Sequence, residues 1–281
     1  MAGHSKWANI KRHKAVVDAK RGKLFTKASK EIIVAARLGG GDVDGNPRLR
    51  FAVLNARSIS MPAENIKRAI QRGTGAIEGA TYEEMTYEGY GPGGVALIIE
   101  CTTENRNRTI ADLRALLTRH GGNMGEPNSV AWNFVRKGEL RTSTVQIIAG
   151  KENSLSDKEN SLSGKESALS EDDLMEIALD AGADDVQIDG QVDTSMEPQS
   201  ALFYCATDVL AQCNVALTAA GLDVRESRFV YEAMNTTVVD DVDVARKLVK
   251  VLDALEDNDD VQNVYNNADI SDDVLSAMDA A

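Results

Sequence analysis

Cysteine is scarce in this chain of 281 residues, and its scarcity argues against a disulfide framework. The three cysteines are Cys101, Cys205 and Cys213, and no two of them have CxxC spacing. An odd number of thiols cannot all be paired, and a cysteine-based zinc site would need closer spacing. A reducing cytosol fits this usage best.

Residues that commonly carry catalysis or hold metals are also few. The three histidines, His4, His13 and His120, form no HExxH pattern, so a hydrolytic zinc site has almost no support. The acid runs at 256–260 and 269–273 lack the central Gly of a calcium loop, and solvated acidic loops explain them better. No Ser–His–Asp set or spaced carboxylate pair stands out. We therefore expect no enzyme activity, no cofactor and no metal.

Long apolar runs are missing as well. The longest purely aliphatic run, residues 95–99, is far too short to span a bilayer, and the N-terminus lacks an apolar signal core. We expect a soluble, cytoplasmic protein with no membrane partner.

The abundant residues are charged, and the two signs are separated along the chain. The net charge is −13, from 31 basic and 44 acidic residues. Residues 1–75 hold 16 of the basic and 5 of the acidic residues, a net of +11, which leaves 15 basic and 39 acidic residues for the other 206 positions, a net of −24. This asymmetry predicts a basic module for a polyanion attached to an acidic body.

Residues 1–78 are predicted to form a three-helix domain. Apolar residues recur at helical spacing between Leu24 and Ala36, up to the glycines at 39–41. Asn46 and Pro47 are typical of a cap and first turn, so a second helix is expected there. A third should begin at Met61-Pro62 and end at Gly73.

The rest of the chain predicts two α+β domains, the third domain being inserted into the second. Residues 79–136 show a ββαβ pattern, with strands at 85–88, 95–100 and 130–135 and a helix at 109–120. The helix and strand that would complete it lie at 243–255 and 261–265, so the discontinuous domain comprises 79–136 and 236–281. The insertion, 137–235, has its own ferredoxin-like strand–helix–strand–strand–helix–strand pattern. The fold class is therefore α+β.

A repeat of seven residues occupies 151–170 within the inserted domain. Each unit has one leucine, at 155, 162 and 169, which is half of what a coiled-coil seam requires. A solvated, weakly helical insertion is the better interpretation.

A basic cluster near the N-terminus is the strongest functional feature. It contains only one acid, Asp18, so its mutual repulsion favours an anionic partner. Trp7 could stack on an unpaired base or plug the first helices. The alternative is that the basic module docks on the acidic body. The cluster consists of Lys6, Lys11, Arg12, Lys14, Lys20, Arg21, Lys23, Lys27 and Lys30, and Lys67, Arg68 and Arg72 on the third helix extend it.

Two further motifs are weaker. Residues 89–94 match GxGxxG, but a strand rather than a helix follows, so a tight turn is expected instead of a nucleotide site. Arg106 and Arg108 could form a second phosphate contact. Alternatively, Asn107 or Thr109 caps a helix here and both arginines are solvated. This cap interpretation is slightly favoured.

Several long motifs resemble the YebC family. They are MAGHSKWANIKRHK at 1–14, DAKRGKLFTK at 18–27, AARLGGGD at 35–42, NPRLR at 46–50, residues 62–75, YEGYGPGG at 87–94, ENRNRT at 104–109, GGN at 121–123 and residues 255–270. Nearly the whole chain is covered, apart from the repeat at 151–170. The order IKRHK at 10–14 departs from the expected KHRK-like order but keeps the charge.

The resemblance implies a three-domain α+β protein that regulates gene expression without catalysis. Bacterial members are described as DNA-binding transcriptional regulators. The mitochondrial relative is a translational activator, and bacterial members are linked to ribosomes stalled on proline runs. The helical unit lacks a helix-turn-helix signature, and a basic arm bearing one Trp suits RNA at least as well as DNA. Both DNA and ribosomal RNA therefore remain expected partners.

Overall fold

The computed structural model describes residues 21–148, 165–189 and 200–279, which fall into two compact units. Unit 1 comprises the described parts of 1–135 and 231–281, and unit 2 those of 136–230. The predicted α+β class is confirmed: an N-terminal helical part precedes parts that contain sheets. Within the described ranges, no helix is both long and apolar enough to cross a bilayer.

The helical part of unit 1 has the three predicted helices. They are α1 (Arg21–Gly39), α2 (Pro47–Ser58) and α3 (Ala63–Gly73). Asn46 caps α2 by accepting a hydrogen bond from the amide of Leu49, and its own amide donates to the carbonyls of Ala35 and Gly40. One side chain thus starts α2 and holds it against the end of α1.

The core between these helices consists mainly of small and branched residues. Ile32, Leu49 and Ala56 are fully buried in it, and several alanines let the helices approach closely. At Gly73, a Cβ atom would lie 2.5 Å from the carbonyl oxygen of Ile33. Only glycine therefore allows the end of α3 to cross α1 at this distance.

A four-stranded antiparallel sheet forms the centre of the remainder of unit 1. Its strands are β1 (Glu83–Tyr90), β2 (Ala96–Thr103), β3 (Asn123–Met124) and β10 (Val261–Asn266), in the order β10-β2-β1-β3. Two helices, α4 (Arg106–Arg119) and α7 (Val242–Glu256), pack on it through a core that includes Leu97, Leu113 and Leu248. The two short parallel strands β9 (Thr237–Val239) and β11 (Ala268–Ile270), followed by α8 (Asp272–Asp279), complete the unit.

The glycine-rich segment at 89–94 is a turn between antiparallel strands, as predicted. The amide of Gly91 donates to the carbonyl of Val95, and Gly93 has a φ of 76°. No long helix begins here, because β2 follows directly after Val95. This geometry removes the feature that a dinucleotide site at this loop would need.

Unit 2 is a sheet with two helices. Its elements are β4 (Phe134–Ile148), which begins in unit 1, β5 (Lys165–Ala168), α5 (Glu171–Ala181), β6 (Asp185–Asp189), β7 (Ser200–Cys205), α6 (Leu210–Ala219) and β8 (Leu222–Ala233), which ends in unit 1. β8 pairs with β4, β4 with β7 and β7 with β6, which is the ferredoxin-like order, and β5 pairs with the far end of β4. Leu140, Phe203, Leu174 and Leu217 join the sheet to α5 and α6 in one core.

Two sequence-based predictions are wrong in part. Residues 130–133 were expected to be strand, but Ala131–Asn133 is a 3-10 turn and β4 begins at Phe134. The carboxylate of Glu88 accepts hydrogen bonds from the amides of Val130 and Ala131, which are therefore not available to a strand partner. The last repeat unit forms β5 and the cap Ser170 rather than a solvated helix, while the repeat at 151–164 lies outside the described residues.

Candidate nucleic-acid interface

Much of the predicted basic cluster precedes the part of the chain that the structure describes. Lys6, Trp7, Lys11, Arg12, Lys14 and Lys20 lie outside the described residues, and Arg21 begins α1. The structure therefore places the remaining members, on α1, α3 and α4.

Three lysines of α1 reach the end of α7, and their burial increases from Lys23, which is exposed, to Lys30, which is buried. Lys23, Lys27 and Lys30 are spaced by four and three residues, which puts them on one side of the helix. The Lys27 ammonium donates to the carbonyl of Glu256 (2.6 Å) and the Lys23 ammonium to that of Asp257 (2.9 Å). The last carbonyls of a helix lack partners within the helix and carry partial negative charge, so cations bind there favourably.

Lys30 goes further and enters the protein interior. Its ammonium donates to the carbonyls of Asp259 (2.7 Å) and Thr102 (3.1 Å) and to the carboxylate of Asp260 (2.7 Å). The residue is only 5% exposed. The prediction that Lys30 contacts a nucleic acid is therefore corrected, because its ammonium is used within unit 1. The contacts of these three lysines match the alternative prediction, in which the basic module docks on the acidic body.

Asp260 is the centre of this buried polar cluster. Besides Lys30, it accepts hydrogen bonds from the hydroxyl of Thr109 (2.8 Å) and the guanidinium of Arg108 (3.1 Å). Burial raises the pKa of Asp260, but the bonds from Lys30, Thr109 and Arg108 outweigh it and lower the pKa from 3.8 to about 2. The expectation of a solvated acidic loop is wrong for Asp260.

The two arginines at the start of α4 have different surroundings. Asn105 caps the helix by accepting from the amide of Arg108, so the caps expected at Asn107 and Thr109 are wrong. Arg108 is held by Asp260 and, at 3.7 Å, by Glu104, although its side chain is still 47% exposed. Arg106 is exposed and interacts with the phenol of Tyr87.

Helix α3 presents a basic surface in the described part of the chain. Its inner side packs through Ile66 and Ala69, whereas Lys67, Arg68 and Arg72 are exposed. Within the described ranges, none of these three side chains has an acidic partner within 4 Å. Three cations that no neighbour neutralises are the arrangement that phosphate contacts require.

One aromatic residue, Tyr82, lies in the segment between α3 and β1. Tyr82 is half-buried against the helical core, and the Lys30 ammonium lies 5.5 Å from the centre of its ring. Burial and the charge of Glu104 raise the pKa of Tyr82, while the positive charges of Arg72 and Arg108 oppose this change. Exposed arginines from two helices thus act on the same ring.

The orientation of α2 depends on a residue that the sequence did not single out. The Arg48 guanidinium bridges Glu31 on α1 (2.8 Å) and Glu84 on β1 (2.5 Å). Burial alone would lower the pKa of Arg48, but the hydrogen bonds to the two carboxylates raise it overall. This bridge links α1 and α2 to the sheet. Arg48 is 17 residues from Glu31 and 36 residues from Glu84 in the sequence, so no local sequence pattern indicates this bridge.

The buried thiols offer little nucleophilic chemistry. All three cysteines are free and buried, and burial raises the pKa of Cys101 and of Cys205 to about 12. Thiols of this kind stay protonated near neutral pH and react slowly.

Two family models match most of the chain. The model described as TACO1/YebC protein N-terminal domain matches residues 5–76, and the one described as TACO1/YebC second and third domain matches residues 82–268. The break between the two matches falls between α3 and β1.

Curated relatives match the chain from end to end. A protein of Chlorobaculum tepidum, named probable transcriptional regulatory protein CT1665, is 49% identical over 281 residues, which cover 99% of each chain. A probable transcriptional regulatory protein of Chloroherpeton thalassium is 50% identical over 280 residues, again 99% of each.

A solved structure has a similar fold. It is the crystal structure of a conserved hypothetical protein, Aq1575, from Aquifex aeolicus, which is 38% identical with a TM-score of 0.73. The match covers 91% of this chain and 93% of that one.

Proposed function

Because the chain belongs to the TACO1/YebC family, we propose that it is a non-enzymatic regulator of gene expression that acts in the cytoplasm by binding nucleic acid. Its curated relatives are named as transcriptional regulatory proteins, which supports regulation at the family level. The binding of DNA or RNA is the further step of this proposal.

The observation that carries the proposal is the uncompensated charge of α3. Lys67, Arg68 and Arg72 are exposed on one short helix, in a part of the chain that is strongly basic. The proposed interface combines these residues with the basic N-terminal segment, namely Lys6, Trp7, Lys11, Arg12, Lys14, Lys20 and Arg21. Arg106 and Arg108 are proposed as a second contact, whereas Lys23, Lys27 and Lys30 donate to main-chain oxygens at the end of α7.

The preferred partner is double-stranded DNA. A connection of four residues, with Ser60 at a φ of 62°, joins α2 to α3. Although the sequence lacks a helix-turn-helix signature, this short turn before the exposed α3 resembles the arrangement in which a second helix enters the major groove. Lys67, Arg68 and Arg72 would then contact phosphates or base edges from that helix.

The second candidate partner is ribosomal RNA, in which case the protein would assist translation of proline-rich stretches. The specific observation in its favour is Tyr82, a half-buried ring within the electrostatic influence of Arg72 and Arg108. Stacking of an unpaired base on an aromatic ring beside arginines is characteristic of single-stranded RNA recognition.

Binding measurements over a series of salt concentrations test the shared proposal. The triple variant Lys67→Ala/Arg68→Ala/Arg72→Ala should reduce the slope of log K against log salt by about two to three for duplex DNA. The triple Lys11→Ala/Arg12→Ala/Lys14→Ala should act similarly. The control triple Arg119→Ala/Lys247→Ala/Lys250→Ala removes equal charge from exposed positions elsewhere in unit 1 and should leave the slope unchanged. Equal slopes for all the variants would contradict the proposed interface.

Crosslinking in cells separates the two partners. The protein is crosslinked to nucleic acid, and the attached sequences are read. Enrichment of promoter DNA supports the transcriptional function, and enrichment of ribosomal RNA supports the translational one. Recovery of neither above the level of the Lys67/Arg68/Arg72 variant contradicts the proposal.

A further inference from the structure

An exposed tryptophan lies on the short turn that precedes β4. Trp132 belongs to the 3-10 turn Ala131–Asn133 in unit 1 and is 66% exposed. It is a member of neither hydrophobic core found in the described part of this unit. A ring of this size buries a large apolar area when it is packed, so its exposure points to a contact outside the chain.

The main chain that carries Trp132 is held by one carboxylate. Glu88, on β1, accepts hydrogen bonds from the amides of Asn128 (2.6 Å), Val130 (2.7 Å) and Ala131 (2.8 Å). Hydrogen bonds to an ionised carboxylate are roughly twice as strong as those between neutral groups. The backbone of the turn is therefore fixed before any ligand arrives, which lowers the entropic cost of binding.

The indole of Trp132 is oriented by its own N–H. The Nε1 atom donates to the carbonyl of Ser129 (2.9 Å), and this carbonyl also accepts from the hydroxyl of Tyr90 (3.0 Å). On the other side of the turn, the buried side chain of Asn133 bonds to the main chain of Asn235. The only polar group of the indole is thus used within the protein, and the exposed remainder is an apolar ring that can stack on a flat partner.

The segment around this ring is polar but nearly uncharged. Asn128 is exposed and has a left-handed φ of 67°, and it directly precedes the Ser129 carbonyl that holds the indole. Its side-chain amide can both donate and accept, as the edges of nucleobases do. Glu126 is the only charged residue between positions 123 and 135. The segment therefore suits an uncharged planar group better than a phosphate.

We propose that Trp132 is a stacking site for an unpaired nucleobase, with Asn128 as the hydrogen-bonding group beside it. This inference rests on the proposed function, nucleic-acid binding, and adds that part of the bound nucleic acid is single-stranded. Stacking on an aromatic ring contributes affinity for bases of any sequence. Because it adds no phosphate contact, this contribution differs in its salt dependence from that of Lys67, Arg68 and Arg72.

The emission of Trp132 can be isolated, because the sequence contains only two tryptophans. In the full-length Trp7→Phe variant, Trp132 is the only one left. A single-stranded oligothymidylate of about 12 nucleotides should quench its emission, since a stacked base deactivates the excited indole. A blunt duplex of equal length offers no unpaired base inside the helix and should bind without comparable quenching.

A matched reporter tests whether the quenching is local. The variant Trp7→Phe/Trp132→Phe/Val215→Trp carries its only tryptophan on α6 of unit 2, where the native side chain is 69% exposed. Its emission should stay unchanged when the same oligonucleotide is bound.

The affinity for the single-stranded probe should depend on the ring. In fluorescence anisotropy with a labelled oligonucleotide, Trp132→Ala should weaken binding about tenfold and Trp132→Phe less, because the smaller ring still stacks. The slope of log K against log salt should keep its wild-type value. Asn128→Gly keeps the left-handed backbone and removes the amide, so it should weaken binding to a smaller extent. The control Leu179→Ala, at a 71% exposed position of α5, should change neither affinity nor slope.

The possible failures are distinguishable. If the single-stranded probe binds but leaves the emission of Trp132 and the affinity of Trp132→Ala unchanged, the stacking site is wrong and the proposed function stands. If the wild-type chain binds no nucleic acid at low salt, both are wrong. If Trp132→Ala loses a co-purifying protein but keeps its affinity for the oligonucleotide, the ring belongs to a protein interface, which also overturns the inference.

Discussion

The Lys30 ammonium lies 2.7 Å from the carboxylate of Asp260, and both side chains are more than nine-tenths buried. The two residues are 230 positions apart in the sequence. Their contact joins the first described helix to the loop that precedes β10. It therefore connects two parts of unit 1 that are far apart in the sequence.

Loss of Lys30 should leave Asp260 with a buried charge that its other partners cannot fully compensate. We expect Lys30→Met to lower the free energy of unfolding by about 3 kcal/mol, measured by urea denaturation. Lys23→Met removes an exposed lysine from the same side of α1 and should cost less than about 1 kcal/mol. Similar losses for the two variants would contradict the assigned role of Lys30.

The low pKa of Asp260 predicts how stability depends on pH. The unfolded chain takes up a proton near pH 3.8 and the folded one only near pH 2, so the stabilisation is complete above about pH 4 and is lost as pH falls towards 2. Its size is about 2 kcal/mol. Asp260→Asn should be less stable at neutral pH and should lose this part of the acid dependence, whereas Asp259→Asn should keep it. Parallel pH profiles for Asp260→Asn and the wild type would refute the prediction.

Asn46 should contribute more to stability than an ordinary helix cap. Asn46→Ala removes the cap of α2 and leaves the carbonyls of Ala35 and Gly40 without this donor, so we expect a loss of about 2–3 kcal/mol. Asn46→Asp keeps the cap oxygen and should retain part of that stability. Asn105→Ala, which removes only the cap of α4, should cost about 1 kcal/mol in the same denaturation experiment. A larger loss at Asn105 than at Asn46 would contradict this account.

Lys23 and Lys27 should affect stability without affecting the salt dependence of nucleic-acid binding. Their ammonium groups already donate to carbonyls at the end of α7. We expect Lys23→Ala/Lys27→Ala to lower the melting temperature while the slope of log K against log salt stays at the wild-type value. Lys67→Ala/Arg68→Ala should show the opposite pattern, because both residues are exposed on α3. A reduced slope for the Lys23/Lys27 variant would indicate that these lysines contact nucleic acid.

Local patterns predicted most of the secondary structure of unit 1. Asn46-Pro47 marked the start of α2, and the glycine-rich segment at 89–94 marked a turn, because caps and turns depend on neighbours in sequence. Residues 130–133 were misassigned because the carboxylate of Glu88, some forty positions away, takes the amides that a strand would have used.

The contacts around the candidate interface were beyond the reach of such patterns. Asp260 belongs to a run of acidic residues for which the sequence predicts a solvated loop. Its burial depends on Lys30 and Arg108, which come from distant elements. The basic cluster was found as a charge excess, but that excess does not distinguish Lys67, which faces solvent, from Lys30, which faces inward. Only the packing of α1 on the end of α7 makes that distinction.

The lysine contacts at the end of α7 also predict which positions can vary between related sequences. Lys27, Lys23 and Lys30 bind the main-chain oxygens of Glu256, Asp257 and Asp259, and every amino acid carries this oxygen. Substitutions at 256, 257 and 259 therefore preserve these three bonds as long as α7 ends at the same place. Position 260 differs, because its partners bind the side chain. We therefore expect substitutions to be tolerated best at 256 and 259, less well at 257, whose carboxylate lies 4.0 Å from the Lys23 ammonium, and least at 260.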